Sequence, residues 1–109
     1  MIEVSNESDL ACQLKAHKKV VALFYASWCP FCISFLPVFS KNDQEDSNEF
    51  LRVKVDDYSN PLWEQYSLEV VPTIIFFERG KVSQRLDGIL GFGLSEKQFS
   101  DWLEELHEF

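Results

Sequence analysis

The chain has 109 residues, room for one domain built on one hydrophobic core. Apolar residues make up 46% of it and ten residues are Phe, which argues against long-range disorder. The formal net charge of −8 argues against a nucleic-acid binder or an anionic-membrane binder, both of which need a basic face, and reads most simply as solubility.

The longest apolar runs, residues 20–26 and the stretch around 74–77, fall far short of the roughly 20 residues that span a bilayer. The start, Met-Ile-Glu-Val-Ser-Asn-Glu, has neither a basic region nor an apolar signal core. A cytoplasmic location is therefore expected, with reduced thiols by default, and a monomer is expected as well.

In chain order, Asn6 or Ser8 can cap a first helix that runs to about His17. Residues 20–26 are β-branched, aromatic and without polar alternation, as in a central strand buried on both faces. Ser27-Trp28-Cys29 then turns into a helix with Pro30 in its first turn, where a missing N–H costs nothing. Ile33, Phe35, Leu36, Val38 and Phe39 line most of its girth, which predicts a largely buried first half, and Pro37 predicts a kink. The acidic stretch 41–49 reads as a solvated helix end and loop.

Leu51, Val53 and Val55 alternate with Arg52 and Lys54, a strand pattern. Pro61 starts a short helix through about Ser67. Residues 73–78 and 81–86 flank Arg79-Gly80 as a β-hairpin, and Gly88, Gly91 and Gly93 mark a loop. Ser95 and Gln98 form a capping box, Leu94 and Phe99 a hydrophobic staple, and Phe99, Trp102, Leu103 and Leu106 one apolar stripe of a last helix. This order predicts an α/β fold in which a central mixed sheet is flanked by helices on both faces, as one domain over residues 1–109.

The chemistry concentrates in Trp28-Cys29-Pro30-Phe31-Cys32. At a strand-to-helix junction the first sulfur lies at the helix N-terminus, where unpaired N–H groups and the macrodipole favour a thiolate. The second, three residues on, lies on the same side and can attack a mixed disulfide formed at the first. Cys29 is thus the candidate nucleophile and Cys32 the resolving thiol. A structural zinc site wants about four ligands. The remaining Cys12, His17 and His107 offer no second paired set, so neither a metal nor a cofactor is expected. Cys12 reads as a small semi-buried residue, and His17 and His107 as surface residues. Trp63 and Tyr66 read as packing for the short helix, and Phe92 as a possible lining of a substrate groove.

Residues 20–32, Trp28 included, resemble the active-site strand and turn of thioredoxins. Pro37 matches that family's helix proline, Val71-Pro72-Thr73 resembles its cis-proline element, and Gly88 falls where it places a glycine near the site. The resemblance covers nearly the whole chain. It implies a thioredoxin fold, a cis bond before Pro72, and a docking rim of Trp28, Pro30, Phe31, Val71, Pro72 and Thr73. It also implies dithiol–disulfide exchange with protein disulfide substrates and recharging by a reductase or another dithiol donor.

Two positions depart from the family. Leu23 stands where a buried Asp is usual, with Arg52 at the place of a nearby Lys, so the proton acceptor for Cys32 is left open. The Pro30-Phe31 pair is similar to glutaredoxin motifs, yet Glu78-Arg79-Gly80 replaces the Gly-Gly-Asp of their glutathione site. A glutathione-dependent reductase and a non-enzymatic binding module remain the rival readings.

Overall fold

In the computed structural model, which describes residues 1–43 and 48–106, nine elements follow one another. They are β1 (Ile2–Val4), α1 (Glu7–Ala16), β2 (Lys19–Tyr25), α2 (Pro30–Asp43), β3 (Glu49–Lys54), α3 (Leu62–Gln65), β4 (Thr73–Glu78), β5 (Lys81–Asp87) and α4 (Glu96–Leu106). The strands form one sheet in the order β1-β3-β2-β4-β5. β1 and β2 flank β3 in parallel, while β4 runs antiparallel to β2 and β5 antiparallel to β4.

β2 is the centre because its sequence suits no other place. Val20 to Ala26 are all at most 5% exposed, and a strand apolar on both faces must be covered on both. On one face Val21, Leu23 and Tyr25 pack with Phe35 and Phe39 of α2 and with Phe99, Trp102 and Leu103 of α4. On the other, Val20, Ala22 and Phe24 pack with Leu10 and Leu14 of α1 and Leu62 of α3. The mixed sheet with helices on both faces is as the sequence predicts.

The caps resolve as the sequence chemistry requires. Asn6, rather than Ser8, caps α1: its side chain accepts from the Asp9 amide at 2.8 Å. The Gln98 amide donates to Ser95 Oγ, and the Ser95 amide donates to Gln98 Oε1, so the capping box is closed in both directions.

Three features differ from the sequence expectation. β1 carries no strand pattern in the sequence. It is three residues long with only Val4 buried, too short to show a period, and its backbone is held by pairing Ile2, Glu3 and Val4 with Leu51, Arg52 and Val53. Ile33 is 48% exposed although α2 was expected to be buried around most of its girth. The helix lies on the sheet along the stripe Cys32, Phe35, Phe39, and the residue after Cys32 points some 100° away from it. Cys12 is exposed on α1 rather than semi-buried. The helix α2 continues through Pro37 to Asp43; residues 44–47 of the acidic stretch, and His107, lie outside the described residues.

Behind the dithiol the core is aromatic. Phe99 lies 5.4 Å from Phe35, 5.6 Å from Phe39 and 6.3 Å from Trp102 between ring centroids, and Phe39 lies 4.9 Å from Phe50. Phe99 is fully buried and joins α4 to α2. Phe99→Ala is expected to destabilise the protein by about 3–5 kcal/mol, the cost of a large buried aromatic plus its cavity. Urea unfolding followed by tryptophan fluorescence checks this.

Candidate functional site

Cys29 stands immediately before α2, as its capping residue: its carbonyl accepts the first helical bond, from the Ile33 amide at 3.1 Å, and its own amide donates to Ala26 O at 3.2 Å. The Cys32 amide, one of the N-terminal donors without an intrahelical partner, points at Cys29 Sγ from 3.3 Å. The Cys29 thiol in turn donates to the Val71 carbonyl at 3.6 Å. The Val71–Pro72 bond is cis. Cys29, Cys32 and the Val71-Pro72 element thus meet at one point, where the pairing of Phe24 with Thr73 brings the end of β2 beside the start of β4.

The two thiols are unequal. Both are free and both are buried, Cys29 at 6% exposure and Cys32 at 0%. Burial pushes the Cys32 thiol up to about 12, with the Cys29 sulfur and the Asp56 charge adding to the shift and a backbone bond to Ala26 opposing it.

The turn before Cys29 is latched by Asp56, which follows the end of β3. The Ser27 amide and hydroxyl both donate to the Asp56 carboxylate, and the Trp28 indole N–H donates to the Asp56 carbonyl at 2.7 Å. Partial desolvation works against ionising Asp56, but the Ser27 bonds and the Lys54 ammonium outweigh it and hold the carboxyl below the usual aspartate range. Sequence reasoning missed Asp56, because a surface Asp after a strand carries no signal until the tertiary fold places it under Trp28.

Leu23 is fully buried, packs in the same cluster as Cys29 and Cys32, and is paired with Ile74 and Arg52 across the sheet. Polar groups lie on the same side of the sheet. The Tyr25 hydroxyl donates to the Glu3 carboxylate, and Arg52 Nε lies 3.7 Å from it. Burial first, then Glu3, pushes the Tyr25 phenol up to about 12.

Around the sulfurs the surface is apolar. Trp28 is 49% exposed and Phe31 43%, and Pro30 is exposed. Val71 is half-buried, while Pro72 and Thr73 are buried, the Thr73 hydroxyl being satisfied by Val70 O at 2.9 Å. A groove of about 230 Å³ starts at Cys29 and runs between Trp28, Tyr58 and Trp63 on one side and Ile89, Leu90 and Gly91 on the other, with Glu69 at its margin. The aromatic wall is continuous: Tyr58 lies 5.4 Å from Trp28 and 4.8 Å from Trp63. Trp63 therefore lines the groove as well as packing its helix, whereas Tyr66 packs between Phe24 and Phe77 on the far face.

The opposite wall is a tight tongue. Ile89 pairs with Gly93, and the Phe92 and Gly93 amides both donate to Ile89 O. At its base a Cβ on Gly88 would fall 2.3 Å from the Pro72 carbonyl oxygen, and one on Gly93 2.7 Å from Phe31 Cβ, so glycine alone lets the tongue seat against both sides of the site. Its tip leaves Leu90 83% and Phe92 79% exposed; Leu90 lines the groove, whereas Phe92, against the sequence expectation, does not.

A family model described as thioredoxin matches residues 1–104. The chain belongs to the thioredoxin family. It is 36% identical over 91 residues to the thioredoxin of Mycoplasmoides gallisepticum, covering 83% of this chain and 90% of that one. It is 30% identical over 107 residues to a bifunctional thioredoxin reductase/thioredoxin of Mycobacterium leprae, covering 97% of this chain and 23% of that longer protein. Among solved structures, the reduced thioredoxin pre-protein of Schistosoma mansoni superposes with a TM-score of 0.81 at 26% identity over 95% of each chain. The protein is a thiol–disulfide oxidoreductase of the thioredoxin fold, acting as a protein-disulfide oxidoreductase, and its Cys29-x-x-Cys32 pair has the geometry for that exchange.

The raised Cys32 pKa has two consequences. The buried neutral thiol stabilises the reduced fold fully below the ordinary thiol value of 9.0, and that stability is lost as pH rises from there toward about 12. At pH 7 the same thiol stays protonated and unreactive. Brief iodoacetamide treatment of the reduced protein at pH 7, read by peptide mass spectrometry, should therefore leave Cys32 unlabelled, and alkaline unfolding should begin above pH 9.

Proposed function

We propose that Cys29 attacks a protein disulfide and Cys32 resolves the mixed disulfide that results. The observation that carries this order is the contrast between the two sulfurs. Cys29 lies at the helix N-terminus, accepts the Cys32 amide and opens into the groove, while Cys32 is wholly buried behind it. Attack by the Cys29 thiolate forms a Cys29–substrate disulfide and releases one substrate thiolate. Cys32 then loses its proton, its sulfur attacks Cys29 Sγ, the second substrate thiolate leaves, and the Cys29–Cys32 disulfide remains. A departing substrate thiolate is itself a base near enough in character to accept the Cys32 proton, which a chain with Leu23 in place of a buried carboxylate requires.

Substrate docks as an extended segment along Trp28, Pro30, Phe31 and the backbone at Val71, Pro72 and Thr73. The buried Thr73 takes part through its main chain. The Ile89–Gly93 tongue extends this rim: Leu90 lines the groove, and Phe92 stands exposed at the tongue's tip, outside the lining, as a further apolar contact for a docked segment. The partner set is protein disulfides on one side and a reductase protein or other dithiol on the other, in line with the Mycobacterium leprae relative, whose name joins a thioredoxin reductase to a thioredoxin. The single domain over residues 1–109 works as a monomer in the cytoplasm; no helix among the described residues is long and apolar enough to cross a membrane.

Cys32→Ser is expected to accumulate mixed disulfides with partner proteins through Cys29, and Cys29→Ser is not. Affinity capture followed by reductant elution reads the difference, and equal trapping by both variants would reverse the assignment.

The tongue has a separate readout. Leu90→Ser/Phe92→Ser should lower kcat/KM for reduction of insulin by roughly tenfold, mainly through KM, since about 1.4 kcal/mol of apolar contact is lost from docking. Both side chains are exposed, so the melting temperature should hardly move.

A further inference from the structure

The ten Lys and Arg residues divide by environment. Lys41, Arg52, Lys54, Arg85 and Lys97 each lie 2.7–3.7 Å from a carboxylate oxygen. Lys15, Lys18, Lys19, Arg79 and Lys81 have no such partner among the described residues. All five lie at one end of the molecule. Lys15 is in the last turn of α1, Lys18 and Lys19 lie at the entry to β2, and Arg79 and Lys81 lie at the β4–β5 turn. β2 separates this end from the dithiol by roughly 20 Å of strand. The carboxylates of Asp56 and Glu69 lie at the dithiol end instead. In a chain of net charge −8, half the cations are thus left unneutralised in one place.

Lys15, Lys18 and Arg79 line a crevice of about 710 Å³ between α1, α3 and the β4–β5 turn. That volume is within the range of small-molecule sites. The Arg79 amide donates to Lys18 O at 2.7 Å, so the hairpin turn is fastened to the entry of β2 and the two cations share one wall. The lining also holds His17, Gln65 and one carboxylate, Glu7. Leu14 and the Tyr66 ring supply an apolar surface. The ring is held between Phe24 at 5.4 Å and Phe77 at 5.5 Å, so it is a fixed wall and not a mobile side chain.

Local roles account for part of the pattern only. Lys15 complements the C-terminal dipole of α1, and Lys81 guards an edge strand. Glu78 is paired in register with both Lys19 and Lys81, although its carboxylate accepts from Ser83. None of this explains why Lys18 and Arg79 converge with Lys15 on a concave, partly apolar surface.

We infer that this crevice is a second binding site, distinct from the dithiol, for a small phosphorylated molecule. Lys15, Lys18 and Arg79 receive the phosphate oxygens, and Leu14 with Tyr66 receives a planar or apolar part. The concave shape and apolar wall favour such a ligand over an acidic polypeptide, which the same cations would also attract.

Calorimetric titration of the full-length chain at low salt, with ATP as the probe and a hexaglutamate peptide as the comparison, tests the inference. ATP should bind, more weakly as salt is added. Lys15→Ala/Arg79→Ala should bind it roughly tenfold or more weakly, because charge-assisted contacts are worth at least that. Amide chemical shifts on ATP addition should concentrate at residues 14–18, 65–66 and 79–80. Lys15 and Arg79 are both exposed, so an unchanged melting temperature verifies that the variant is folded. Absence of ATP binding, equal affinity in the variant, or tighter binding of hexaglutamate than of ATP overturns the inference.

Discussion

Everything at the dithiol depends on one contact: the Cys29 sulfur against the Val71 backbone carbonyl, just before the cis bond to Pro72. Neither partner is local to the other. The contact exists because β2 and β4 are antiparallel neighbours in a register that sets Phe24 against Thr73, so the C-terminal end of one strand and the entry to the next share one edge of the sheet. Because β2 is apolar on both faces, the sheet is covered on both sides and the helix that follows it must start at the edge. That places a helix N-terminus, two sulfurs and an accepting carbonyl in one small volume.

The remaining features of the site support that meeting. Asp56, just past the end of β3, holds the Ser27 turn and the Trp28 ring, so the approach to Cys29 is braced from the side opposite Val71. Gly88 and Gly93 let the tongue close on Pro72 and Phe31 where any side chain would collide. The aromatic cluster of Phe35, Phe39 and Phe99 fills the space behind Cys32 and keeps water from it, which is the physical cause of its raised pKa. The proposed exchange uses this inequality, with Cys29 presented to substrate and Cys32 held in reserve until a disulfide forms beside it.

Leu23 shows how a family scaffold can drop a polar group without losing the site. An apolar side chain at a fully buried position adds core stability, and the ionisable groups Glu3, Tyr25 and Arg52 lie on the same side of the sheet, where the Tyr25 hydroxyl donates to Glu3 and Arg52 Nε lies 3.7 Å from the same carboxylate. In the proposed exchange, the departing substrate thiolate takes the Cys32 proton. The charge distribution has a similar logic: the dithiol end carries Asp56 and Glu69, and the unpaired cations collect at the other end of the strands.

The amino-acid sequence by itself determined the central strand, the Cys-x-x-Cys at its end, the capping box of the last helix and the hairpin, because each is written in neighbouring residues: an unbroken apolar run, a three-residue spacing, Ser95 with Gln98, a turn at Arg79-Gly80. It also marked Val71-Pro72-Thr73 through resemblance to a family. What it did not carry were arrangements that need two distant segments. β1 is a strand only because β3 is there to bond it. Ile33 is exposed because α2 rolls one particular stripe onto the sheet. Asp56 under Ser27 and Trp28, Trp63 in the groove wall, the closed tongue at Ile89 and Gly93, and three cations around one crevice all result from packing. Local preference is read within a few residues, whereas a site is a property of distances between segments that only the folded sheet brings together.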